Sequence, residues 1–103
     1  MKVILTGVTG NLGHEIAIDL INRGFSIIPI IQPGTISGLS RYFNEIIYSD
    51  LINSDSIQFS GTADCIIHCA GIVHFKNAGN SNEKMILKII DLARKLKIPI
   101  YSI

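Results

Sequence analysis

Charge of one sign is what this chain most plainly lacks: 9 Lys+Arg against 8 Asp+Glu leave a formal net charge of +1, and only 17 % of the 103 residues are charged. Such a balance offers no basic footprint for nucleic acid. Disorder needs low hydrophobicity and high net charge, and 48 % of the residues are hydrophobic. Long apolar runs are missing too. No window reaches the ~18 uninterrupted apolar residues of a membrane span. The opening run after Lys2 breaks at Thr6-Gly7, too early for the core of a secretory signal. Cysteine is limited to Cys65 and Cys69. In an extended segment their Cα atoms stand about 13 Å apart at ~3.3 Å per residue, beyond the ~7 Å a disulfide tolerates. Reduced thiols and a cytoplasmic location are therefore expected. Without internal repeats, linkers or low-complexity tracts, residues 1–103 read as a single domain. A domain of this size buries roughly 60–70 % of its unfolded surface, enough for a modest core.

What is present is a regular alternation. Short runs rich in Ile and Val, at residues 3–6, 26–31, 45–48, 64–70 and 100–103, read as five strands. Between the first two, residues 11–23 place Leu12, Ile16, Ala17, Leu20 and Ile21 on one helical stripe, with Gly24 placed to end the helix in positive φ. A short helix is expected over residues 36–43, and no regular element over 53–59. The last helix carries Met85, Ile86, Ile89, Ile90, Ala93 and Leu96 on one side, with Asn80 and Glu83 as its cap and capping-box partner. Lys84, Lys88, Lys95 and Lys97 read as its solvated face, and Pro99 breaks it. Strand–helix alternation implies right-handed crossovers and a doubly wound parallel sheet of the α/β class, in the order 3-2-1-4-5.

The residues between the first strand and first helix are Thr6-Gly7-Val8-Thr9-Gly10-Asn11-Leu12-Gly13. Gly7 permits the tight turn, Gly10 lets a diphosphate approach the backbone, and Gly13 lets the helix pack closely on the sheet. The amides of Asn11, Leu12 and Gly13 then face the phosphates, aided by the helix dipole. Glycine spacing of this kind points to a dinucleotide when, as here, it joins a strand to a helix.

These residues resemble the short-chain dehydrogenase/reductase superfamily, in its extended and atypical branches of epimerases, dehydratases and thioester reductases. Thr6 to Gly13 is similar to their TGxTGxxG signature, so Thr9 joins the cofactor-binding set. Tyr48-Ser49-Asp50-Leu51 is similar to their Gly-Asp-Leu element, which implies that Asp50, beside Leu51, reaches the adenine amino group. Cys65-Ile66-Ile67-His68-Cys69-Ala70-Gly71 resembles the fourth-strand motif, whose end at Cys69, Ala70 and Gly71 would line the cofactor ribose. Asn82 resembles the start of the family's Asn-x-x-Gly-Thr helix, with Met85 and Ile86 in place of Gly-Thr. The implied cofactor is NAD(P). At the end of the second strand Gln32 stands where an NAD-specific protein carries an acid, a weak lean to NADP. Arg41 could reach back over this loop, but reads first as a solvated charge.

The resemblance also defines a gap. The family's chemistry uses a Tyr-x-x-x-Lys pair, and no tyrosine here has a lysine four positions on. No catalytic residue is assigned, and Ser102 reads as an ordinary strand serine. Zinc is not expected, since strand alternation turns His68 away from the side holding Cys65 and Cys69, which read as buried structural thiols. His14 is expected to be exposed and His74 to be a loop residue. Two functions are open at this point: the dinucleotide-binding portion of an oxidoreductase or epimerase, or a non-catalytic NAD(P) sensor working through a protein partner. The apolar edge of the fifth strand, residues 99–103, is further expected to pair with a second copy of the chain.

Overall fold

The computed structural model describes residues 1–8, 10–34, 40–51, 53, 55–69 and 78–102, apart from the side chains of residues 40 and 78–82. Five strands, β1 (Lys2–Thr6), β2 (Ser26–Ile31), β3 (Ile47–Tyr48), β4 (Cys65–His68) and β5 (Ile100–Ser102), form one sheet in the order β3-β2-β1-β4-β5. All four pairings are parallel. The chain thus winds outward from β1 in both directions, as the alternation of the sequence implies. Thr6, at the end of β1, stands opposite Ile30 on one side and His68 on the other.

Strand side chains alternate between two cores. Val3, Leu5, Ile27 and Ile31 face helix α1 (Asn11–Asn22), where Ala17 is fully buried. Ile4, Ile28, Ile30 and Ile66 face helix α2 (Ala78–Leu96), meeting Ile89, Leu92 and Ala93. Both faces of the central strands are covered, which explains why these strands read as continuous apolar runs rather than alternating ones. The connection from β3 to β4 crosses the α2 face without a helix or strand among its described residues. Ile57, 3 % exposed, anchors it in that core, with Leu51, Phe59 and Ala63 packed around.

Several local expectations are corrected. Leu12 is not on the buried stripe of α1 but 54 % exposed, because the first turn of the helix stands beyond the ends of the strands; Gly13 and Ala17 make the close contact instead. The expected helix over 36–43 is a single 3-10 turn, Ser40–Tyr42, in its described part, and residues 36–39 lie outside the described residues. α2 begins at Ala78, so Asn80 sits inside its first turn rather than capping it. Both long helices close with the same paired hydrogen bonds. After α1 the Gly24 and Phe25 amides donate to Ile21 and Leu20, and after α2 the Lys97 and Ile98 amides donate to Arg94 and Ala93. The residue at the left-handed position is Gly24 (φ 89) in the first and Lys97 (φ 57) in the second.

Candidate dinucleotide site

The site is built where β1 gives way to α1. Gly7 takes φ 76, the left-handed conformation that turns the chain sharply out of the sheet. The Gly10 amide closes the turn on the Gly7 carbonyl at 3.0 Å, and α1 starts at once, His14 N–H donating to Gly10 C=O at 2.9 Å. The turn brings the helix so near that a Cβ on Gly13 would lie 1.9 Å from the Gly7 carbonyl oxygen. No side chain fits there, and Gly13 is a requirement of the fold.

Gly10 differs. It caps α1 with φ −85 and ψ 166, extended backbone open to any residue, and among the described residues a Cβ there would meet only the Gly7 oxygen at an ordinary 3.4 Å. Neither conformation nor packing against the described residues asks for glycine. Capping does not either, since Ser, Thr, Asp and Asn cap helices better than glycine. What the missing side chain does is leave the helix end open. Among the described residues no side chain caps it, and no acidic residue stands in the first turn. As the first three residues of α1, Asn11, Leu12 and Gly13 carry amides that the helix itself does not pair. Asn11 and Leu12 are exposed, so this amide cluster at the positive end of the helix dipole is open to an anion.

Beside the turn, Thr6 joins β1 to the end of β4. Its hydroxyl oxygen accepts the Cys69 amide at 3.0 Å and lies 2.8 Å from His68 Nδ1, in a buried contact. Burial holds the His68 pKa below the ordinary histidine range, so the ring is neutral at pH 7. Cys69 is thereby fixed at the same edge of the sheet as the glycine turn. Cys65, Ile67 and Cys69 pack towards the α1 core, on the side opposite buried His68. The two cysteines are free and half-buried rather than fully buried, Cys65 opening β4 and Cys69 following its last residue. Burial raises both thiol pKa values, with the Asp64 charge adding to the effect at Cys65.

On the β2–β3 side, Gln32 follows β2 and is exposed. The Ser49 amide, after β3, donates to the Ile31 carbonyl at 3.0 Å. Asp50 follows, its carboxylate accepting both the Asn53 amide (3.1 Å) and Asn53 Nδ2 (2.9 Å). Leu51 packs its side chain on the α2 core, and its carbonyl accepts Lys88 Nζ at 2.7 Å. Lys88 is therefore not part of a solvated face. The signal was in the spacing: Lys88 lies three residues from Met85 and four from Leu92, both buried. Arg41 points at its neighbour, Nη2 donating to the Tyr42 hydroxyl at 2.9 Å. His14 is half-buried rather than exposed, being one position from Gly13 on the packed turn.

The structure thus brings Gly7, Gly10, Asn11, Leu12, Gly13, Gln32, Asp50, Leu51 and Cys69 to the C-terminal edge of the sheet, around the switch point between β1 and β4 where doubly wound sheets bind ligands. Thr9, Ala70, Gly71 and His74 lie outside the described residues, as does the side chain of Asn82, whose backbone is in the second turn of α2. Among the described residues no helix is long and apolar enough to cross a membrane, and no three His, Cys, Asp or Glu side chains form a metal-binding group.

No family model matches the chain. It is 25 % identical, over 93 residues, to dTDP-6-deoxy-L-talose 4-dehydrogenase (NAD(+)) of Aggregatibacter actinomycetemcomitans, covering 85 % of this chain and 34 % of that protein. Its fold is similar to the reductase domain of the aureusimine biosynthetic cluster, with TM-score 0.75 and 21 % identity over 98 % of this chain and 32 % of that one. It is likewise similar to a UDP-galactose 4-epimerase, with TM-score 0.77 and 17 % identity over 99 % of this chain and 37 % of that one. The chain spans about a third of the length of these proteins. Motifs, strand order and relatives agree: this chain resembles, in sequence and in fold, the N-terminal part of the extended short-chain dehydrogenase/reductase proteins.

Proposed function

We propose that the chain binds NAD(P) as the cofactor-binding portion of an oxidoreductase or epimerase of the short-chain dehydrogenase type. The observation that carries this reading is Gly10, a glycine that neither its backbone angles nor packing against the described residues requires, set over the start of α1. The diphosphate lies on the amides of Asn11, Leu12 and Gly13, with Gly7 turning the chain beneath it and Thr9 of the same motif joining the binding set. The adenosine half extends over β2 and β3, towards Gln32, Asp50 and Leu51. The other half extends over β4, with its ribose against Cys69, Ala70 and Gly71 and Asn82 at the start of α2. Bound there, the dinucleotide supplies hydride transfer. The chain's own residues position it, and a Tyr-x-x-x-Lys pair is absent from these 103 residues.

Gln32 favours NADP, because an acid at this position would repel a 2′-phosphate; the curated relative is named for NAD(+), so both dinucleotides are the probes. Gly10→Val tests the site. Its side chain fills the space over the amides while the backbone angles remain accessible. The expected outcome is a loss of dinucleotide affinity of about tenfold or more, the scale of one charge-assisted hydrogen bond of 1.5–3 kcal/mol, with the far-ultraviolet circular dichroism unchanged. Equal affinity of Gly10→Val and the natural chain would overturn the reading.

A further inference from the structure

The loop that follows β3 is tied to a residue of α2, the helix on the face of the sheet that the loop crosses. Between β3 and β4 the described residues form no helix or strand, and three of the ties that bear on the position of Asp50 are discrete hydrogen bonds. One is the Ser49 amide on the Ile31 carbonyl, which fixes the chain as it leaves the sheet. Another is internal, the double contact of Asn53 with the Asp50 carboxylate, which sets the orientation of that group within its own turn. The third comes from α2: half-buried Lys88 donates from Nζ to the Leu51 carbonyl at 2.7 Å. Together with the Leu51 side chain packed on the same core, it ties the residue after Asp50 to a rigid element, because α2 is packed on the sheet through Ile89 and Leu92, one residue and one turn from Lys88.

We propose that Lys88 is a positioning residue for base recognition: by holding the Leu51 carbonyl it fixes the Asp50 carboxylate against the six-position of a bound purine. This rests on the dinucleotide reading above and adds to it a determinant outside the glycine turn. The chemistry is selective. Adenine presents an amino group there, which a carboxylate accepts; hypoxanthine presents a carbonyl, which a carboxylate repels. A site built around one hydrogen-bonding pattern penalises the analogue that lacks it only when its polar group cannot swing aside. A lysine on a rigid helix provides that restraint, and its hydrocarbon stem contributes packing that does not depend on the ammonium.

The test compares NAD with nicotinamide hypoxanthine dinucleotide, titrated into the full chain and into Lys88→Met and Lys88→Arg. Met keeps the stem and removes the donor; Arg keeps a donor able to reach a carbonyl. The natural chain is expected to prefer NAD by about tenfold. In Lys88→Met the preference should fall to within about twofold, and in Lys88→Arg it should largely return. Loss of stability alone would weaken both dinucleotides alike and leave their ratio intact, so an unchanged ratio in Lys88→Met overturns the proposal. So does a natural chain that binds both dinucleotides equally. A natural chain that binds neither refutes the dinucleotide reading itself, and this inference falls with it.

Discussion

Two glycines three residues apart, alike in the sequence, have different jobs. At Gly13 a methyl group would lie 1.9 Å from a backbone oxygen that cannot move without undoing the turn. Gly13→Ala is therefore expected to cost about 3 kcal/mol or more in urea unfolding, at or above the usual range for overpacking. Gly10→Ala should change stability by no more than about 1 kcal/mol, since the lost chain entropy of glycine and the poorer capping by alanine oppose each other. The glycine spacing was legible in the sequence, but this division of labour was not, because it depends on how closely the helix approaches the strand end. A second residue-scale expectation concerns His68. Burial keeps its folded pKa below the unfolded value, so its neutral form contributes stability in full above about pH 6.5. As the pH falls below that, the unfolded chain takes up a proton first and stability declines, by at most about 1.4 kcal/mol per pH unit. Urea midpoints at pH 7.5 and 5.5 should differ less in His68→Asn than in the natural chain. Lys88 was misjudged at this scale because its charge outweighed its position; three lysines near it in sequence suggested a face, and the buried neighbours at 85 and 92 suggested otherwise.

Among the elements, β2 was readable to the residue, bounded by Ser26 and Ile31, because its apolar run is flanked by Gly24-Phe25 and Pro33-Gly34. α2 was readable in its body but not at its start. Asn80 and Glu83 satisfy the pattern of a capped beginning, and the helix nevertheless includes Ala78 and Gly79. The segment 36–43 has apolar residues at helical spacing but too few of them to stabilise more than the 3-10 turn at Ser40–Tyr42 in its described part. A prediction belongs to the end of α2. Lys97 is exposed and sits at φ 57, where a β-carbon is disfavoured, while the equivalent position after α1 is Gly24. Lys97→Gly should relieve about 1–2 kcal/mol of backbone strain. Less the greater unfolded-state entropy of glycine, the net stabilisation should be about 0.5–1 kcal/mol, read as a higher urea midpoint.

For the molecule as a whole, alternation and handedness were sufficient to derive the strand order, since a strand–helix–strand unit in a parallel sheet has only one favoured hand. The connection from β3 to β4 was not derivable. It has no period, and among its described residues Ile57 is the one hydrophobic side chain buried in full, with Leu51, Phe59 and Ala63 partly buried around it. The two sides of the candidate site therefore differ in how they are held: the glycine turn by backbone bonds to its own strand and helix, the loop after β3 by a backbone bond to β2 and a lysine of α2. Dinucleotide bound to the folded chain alone should stabilise it by about 2.7 kcal/mol at a hundredfold excess over Kd. The central claim is that bare amides at the start of α1 hold the diphosphate. Its most direct measurement is a titration of the isotopically labelled chain with NAD and with NADP, followed by amide nuclear magnetic resonance. The expected result is that the largest saturable shifts fall on Asn11, Leu12 and Gly13; saturable binding that leaves those three amides unmoved, or no binding by either dinucleotide, would contradict it.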